Sequence, residues 1–177
     1  MQQTTIHTIG HGARSQAELL AILQGAGIRT VVDIRADPQS SHHRHFSQAA
    51  LREALEAADI VYHWAGRQLG GQHRPLANSV HTALADEGMR GFADFMASAD
   101  FARAAVQLVS LAARAPLVLL CAERLPEQGQ RTLIADYLTL RGAEVVHLIA
   151  VGERREHRLS PQARRESAEL IYDRRMD

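Results

Sequence analysis

The chain has 177 residues, and its 20 basic and 20 acidic side chains balance to a formal charge of zero. Every basic residue is Arg and none is Lys. That excludes Schiff-base enzymes, which need an amine nucleophile, and phosphate loops built around a lysine. Arg in place of Lys beside 29 Ala is also what a GC-rich genome produces with no functional pressure, so the bias alone names no partner.

The length fits one domain spanning residues 1–177, and 46% hydrophobic residues is ordinary for a globular fold. Charge is even along the chain: residues 1–90 hold 8 Arg and 8 acids, residues 91–177 hold 12 and 12. A nucleic-acid partner is therefore possible but not favoured. The single cysteine excludes an intramolecular disulfide and suits a reducing compartment. No charged leader precedes an apolar run, and no stretch reaches the roughly 18 apolar residues that a membrane span needs. The expectation is a soluble, cytoplasmic protein with no membrane partner. The sequence specifies no oligomeric state.

Five runs read as strands in chain order: Thr5–Ile9, Thr30–Arg35, Ile60–Ala65, Leu117–Ala122 and Glu144–Ala150. Three of them are almost continuously apolar, as strands covered on both faces are. Helical patterns lie between. Ser15 through Glu18 has the form of a capping box, followed by Leu19, Leu20 and Leu23 before Gly25 and Gly27. Ser47 can cap a second helix carrying Leu51 and Leu55. A third, from about Asp100 to Ala113, presents Phe101, Ala105, Leu108 and Ala112 on one face. A fourth carries Leu133, Ile134, Tyr137 and Leu138 and closes at Gly142. Strand–helix alternation predicts a single α/β domain, with a mainly parallel central sheet of about five strands and helices on both faces. Residues 66–90 read as a long link rich in Gly, His and Arg. Residues 152–177 read as a charged segment in which Ser160-Pro161 looks like a helix start.

Ligands of such sheets sit outside the carboxyl ends of the strands, so the residues following each strand are the candidates. They are His11 after the first strand, Asp33, Arg35 and Ser40 after the second, Gly70 and Gly71 after the third, and Cys121 and Glu123 after the fourth, with Arg131 beyond. Cys121 is either a thiolate nucleophile, its pKa lowered by backbone amides and an Arg, or a small buried hydrophobe. Asp33, Glu123 and His11 are candidates for proton transfer. Equally, Asp33 and Glu123 are ion-pair partners for Arg35 and Arg131. Arg35 and Arg131 would clamp an anion. Gly10 and Gly12 let backbone approach a ligand, or simply permit a tight turn. His42, His43 and His45 have no carboxylate or thiol among them, so no metal site is assigned. No nucleotide-cofactor motif is present and the cofactor is unknown. Glu153 to Arg158 reads as a solvated charged face.

Six segments in order, TIGHG, VVDIRADPQS, LGG, RGFADFM, LLCAERLPEQGQR and HRLSPQAR, make the chain resemble the domain of unknown function 488 family, from Thr8 to about Arg164. The resemblance implies an enzyme, because the family carries Cys-Ala-Glu followed by Cys-His-Arg. Cys121, Ala122, Glu123 and Arg131 match that pattern; Gly129 and Gln130 stand where the second Cys and the His would be. Ser41 and His42 replace family arginines, while His45 and Phe46 are retained. More loosely, a strand ending Asp-x-Arg and a later one ending in Cys resemble a rhodanese-type arrangement, with a longer interval to Arg131. The expected function is an enzyme acting on a small phosphate- or nucleotide-bearing anion. The alternatives are a non-catalytic ligand-binding domain that has lost the family's second Cys and His, and a nucleic-acid module accessory to DNA repair.

Overall fold

A computed structural model describes residues 2–39 and 42–175. Six strands form the main sheet: β1 (Thr5–Gly10), β2 (Thr30–Asp33), β3 (Val61–Trp64), β4 (Leu117–Cys121), β5 (Glu144–Ala150) and β6 (Glu153–Glu156). Their order across the sheet is β3-β2-β4-β1-β5-β6, with every pairing parallel except β5 with β6. The five expected strands are therefore present as one mainly parallel sheet. The sixth is a short antiparallel edge whose residues Glu153–Glu156 are all exposed, and charges along an edge discourage pairing with another chain.

The helices are α1 (Gln16–Gly25), α2 (Gln48–Ala57), α3 (Gly66–Leu69), α4 (Glu87–Met96), α5 (Ala99–Arg114) and α6 (Arg131–Leu140). Ser15, Ser47, Asp86 and Ser98 each accept a backbone N–H from the first turn of α1, α2, α4 and α5. Ser15 makes only half of the expected box, because Glu18 turns instead to Arg14. The link at 66–90 is not structureless: α3 opens it and α4 begins within it. Among the described residues no helix is long and apolar enough to cross a membrane.

Alternation along the strands divides the core. Val118 and Leu120 of β4 pack with Leu19, Leu23, Leu51 and Leu55 of α1 and α2. Leu117, Leu119 and Cys121 face the opposite way, with Phe92, Phe101, Leu133 and Ile134 of α4, α5 and α6. The chain thus leaves β1 toward one layer of helices and leaves neighbouring β4 toward the other. Adjacent strands with diverging exits open a crevice at their carboxyl ends.

The C-terminal segment corrects one expectation. Ser160-Pro161 does not start a helix; the chain turns into a hairpin of β7 (Ala163–Glu166) and β8 (Glu169–Tyr172). The Ser160 amide is taken by the buried Asp136 carboxylate at 3.0 Å. Ala163, Ile171 and Tyr172 are buried, which gives the hairpin an apolar anchor that a charged helix would lack.

Candidate functional site

A cleft of about 940 Å³ lies at the carboxyl edge of the sheet. It is lined by the residues that follow β1, β2 and β4, by Gln72–Pro75 and by the first turn of α4. Of the candidate residues, His11, Arg35, Gly71, Cys121, Glu123 and Arg131 all border it. Asp33 and Gly70 lie behind its wall, and Ser40 lies outside the described residues.

The two exits are held together by backbone. His11 N–H donates to Cys121 O at 3.0 Å and Gly12 N–H to Ala122 O at 2.9 Å, which extends the β1–β4 ladder past the strand ends. A Cβ on Gly10 would stand 1.6 Å from Glu123 O, so only glycine allows this approach. Gly10 therefore brings two backbone segments together. A Cβ on Gly70 would stand 2.0 Å from Ile34 O, so Gly70 likewise serves strand-end packing. Arg14, which the sequence did not single out, clasps the same edge. Its Nε donates to Gly10 O at 3.0 Å and its Nη2 to Ile149 O, and it pairs with Glu18 at 2.9 Å.

Asp33 and Arg35 reach the edge from the α1–α2 side. Arg35 donates from Nε to Asp33 Oδ1 at 2.9 Å and from Nη2 to Oδ2 at 2.8 Å, a bidentate pair. Tyr62 donates its hydroxyl to Oδ2 at 2.6 Å, and Arg35 N–H donates to Oδ1 at 3.1 Å. Burial and the Asp33 carboxylate push the Tyr62 hydroxyl pKa up. Four donors thus converge on a carboxylate with no exposed surface. Arg35 Nη1 donates to Phe46 O at 2.7 Å, so three of its five N–H groups are committed.

Arg131, the first residue of α6, arrives from the opposite face of the sheet. It is completely buried, yet among the described residues no carboxylate forms an ion pair with it. Its contacts are neutral oxygens: Nη1 donates to Thr8 Oγ1 at 3.3 Å, and Nη2 to Glu123 O at 3.3 Å and Arg124 O at 3.0 Å. Nε has no partner. Burial holds the Arg131 pKa below its ordinary value.

His11 Nδ1 bonds Gly12 O at 2.8 Å, which assigns its proton there and leaves buried Nε2 without a partner among the described residues. Burial, helped by Arg35 and His43, pushes the His11 pKa down to about 4, so the ring is neutral near pH 7. It lies against Phe46 at 4.7 Å between ring centroids. The Cys121 thiol donates to Glu123 O at 3.4 Å. Burial pushes its pKa up to about 12, against the pull of Arg131, so Cys121 stands as a neutral thiol in this setting. The Glu123 side chain is exposed to the cleft, and a Cβ on Gly129 would come within 2.8 Å of its Oε2.

Gln130 donates from Nε2 to Gly71 O at 2.8 Å and ties the turn before α6 to the Gly70-Gly71 loop. His42 and His43 border the cleft, while His45 Nε2 bonds Arg14 O at 2.8 Å. Among the described residues no group of three His, Cys, Asp or Glu side chains is placed to hold a metal ion.

The family model described as Domain of unknown function DUF488 matches residues 15–138, a segment that contains Arg35, Cys121, Glu123 and Arg131. No curated protein matches the chain. With more than half of its 177 residues covered by that match, the chain belongs to the DUF488 family.

Proposed function

We propose that this protein is an enzyme acting on a small phosphate- or nucleotide-bearing anion bound where β1 and β4 end. Arg131 carries the reading: a fully buried guanidinium bordering the cleft, with no ion pair among the described residues and an unbonded Nε. Burial without a counter-ion penalises a charge by several kcal/mol, and a bound anion removes that penalty. Arg35 retains two N–H groups beyond those given to Asp33 and Phe46. Two planar forks from opposite faces of the sheet suit the oxygens of a phosphate.

Proton transfer falls to Glu123, whose carboxylate is open to the cleft, and to neutral His11 through Nε2. Attack by Cys121 on the phosphorus of an ester passes the thiol proton to one of these groups, because the resting thiol is neutral. The S–P bond forms as the P–O ester bond breaks, and the departing oxygen takes up a proton as the alcohol. A second reading, a binding domain without turnover, is favoured by that same neutral thiol and by Gln130, which bonds Gly71 and stands where the family resemblance expects a His. A turnover screen with phosphate monoesters and nucleotides, on the wild type, Cys121→Ala and Glu123→Gln, separates them. The enzyme reading expects losses of about 10²–10⁴ from removing a proton-transfer group. Phosphate binding with no turnover selects the binding domain. Binding and turnover intact in both variants would sink the assignment of Cys121 and Glu123.

A further inference from the structure

Behind Arg131 a chain of buried polar groups runs between the sheet and α6. Thr8 Oγ1 bonds His147 Nδ1 at 2.5 Å, His147 Nε2 bonds His157 Nδ1 at 2.9 Å, and His157 Nε2 bonds Asp136 Oδ1 at 2.7 Å. Thr8, Asp136 and His147 are essentially without exposed surface. Asp136 also receives the Ser160 N–H at 3.0 Å and the Tyr172 hydroxyl at 2.8 Å. With both rings neutral, one proton assignment satisfies every member. Arg131 donates to Thr8, Thr8 to His147 Nδ1, His147 Nε2–H to His157, and His157 Nε2–H to Asp136. Burial above all pushes the His147 pKa down to about 3, in keeping with a neutral His147 ring. None of Thr8, Asp136, His147 or His157 borders the cleft, so none has a route to a ligand except through Arg131.

We infer that Thr8, His147, His157 and Asp136 are positioning residues, a relay that orients the Arg131 guanidinium for the anion. The inference rests on the anion-binding reading above. A guanidinium on four rotatable bonds needs fixed acceptors to present one face to a ligand, and its other two acceptors, Glu123 O and Arg124 O, belong to a surface turn. Thr8 is the acceptor built into a central strand, paired on both sides by β4 and β5. Because the relay ends on Asp136, which Ser160 and Tyr172 also hold, the C-terminal hairpin contributes to the geometry of a cleft that it does not line.

The test uses the full chain with Thr8→Val, which keeps the shape and removes the hydroxyl, and Thr8→Ser, which keeps the hydroxyl. Inorganic phosphate is titrated by calorimetry, and histidine and arginine side-chain nitrogens are followed by NMR without phosphate. The expected result is about tenfold weaker phosphate binding in Thr8→Val, recovery in Thr8→Ser, and displaced His147 and Arg131 Nε signals in Thr8→Val alone. Unchanged phosphate affinity and unchanged nitrogen signals in a folded Thr8→Val protein would overturn the relay. If the wild type binds no phosphate, the anion reading fails by itself. The Arg131 Nε signal then decides the relay: displaced by Thr8→Val and restored by Thr8→Ser it stands, and unmoved it falls.

Discussion

Replacing Asp33 with Asn asks whether this carboxylate is structural. Its two oxygens accept four donors: Arg35 Nε and Nη2, the Arg35 amide and the Tyr62 hydroxyl. Asn presents one acceptor and one N–H₂ group to that ring of donors, so at least one donor faces another. Arg35, only 7% exposed, also loses its counter-charge. Breaking one side of a buried ion pair costs about 3–5 kcal/mol, which for a chain of this size corresponds to a Tm lower by roughly 6–20 °C. Urea and thermal unfolding of Asp33→Asn, Arg35→Gln and the double variant form a cycle. The double variant is expected to lose about 2 kcal/mol less than the sum of the singles, since each single strands the other partner. An Asp33→Asn protein within about 1 kcal/mol of the wild type, or a strictly additive cycle, would refute the reasoning.

Acid is expected to destabilise the fold through two rings. His11 and His147 have folded pKa values of about 4 and about 3, below the ordinary 6.5, so the unfolded chain takes up protons first. Their contribution is complete above about pH 6.5 and falls with pH down to about 4 and 3. The two together remove about 4 kcal/mol between pH 7 and pH 5. Equal urea midpoints at the two pH values would contradict this. Cys121, buried and with its pKa pushed up to about 12, is expected to react with a thiol reagent at pH 8 about a hundredfold more slowly in the folded chain than in urea. Equal rates would show an accessible thiolate. Gly10→Ala drives a methyl to 1.6 Å from the Glu123 carbonyl and is expected to cost about 3 kcal/mol or more; an unchanged urea midpoint would disprove the tight exit.

The parallel sheet was legible because Leu117–Cys121 is apolar on both faces, and the structure buries every residue of that strand. Helix α4, which begins at the end of the 66–90 link, was hidden because its sequence, EGMRGFADFM, carries two glycines and a narrow apolar face. The hairpin of β7 and β8 was missed because both strands are only four residues long and ARRE is mostly charged. At the site, strand-end logic gathered His11, Arg35, Cys121, Glu123 and Arg131 at one edge. It did not reveal that Asp33 is saturated by donors or that Arg131 has no ion pair among the described residues, because both depend on contacts from other elements. The relay was less legible still. Thr8, Arg131, Asp136, His147 and His157 share no local pattern, and His157 lies within a run read as a solvated face. That reading suits the exposed strand β6, but the His157 side chain is only 6% exposed.

The most direct test of the account is a crystal structure of the protein soaked with phosphate, for the wild type and for Arg131→Gln. The account predicts one phosphate within hydrogen-bond distance of Arg131 and Arg35 in the wild type, and none at that position in Arg131→Gln. A wild-type cleft that stays empty at saturating phosphate, or a phosphate that sits equally well without Arg131, would contradict it.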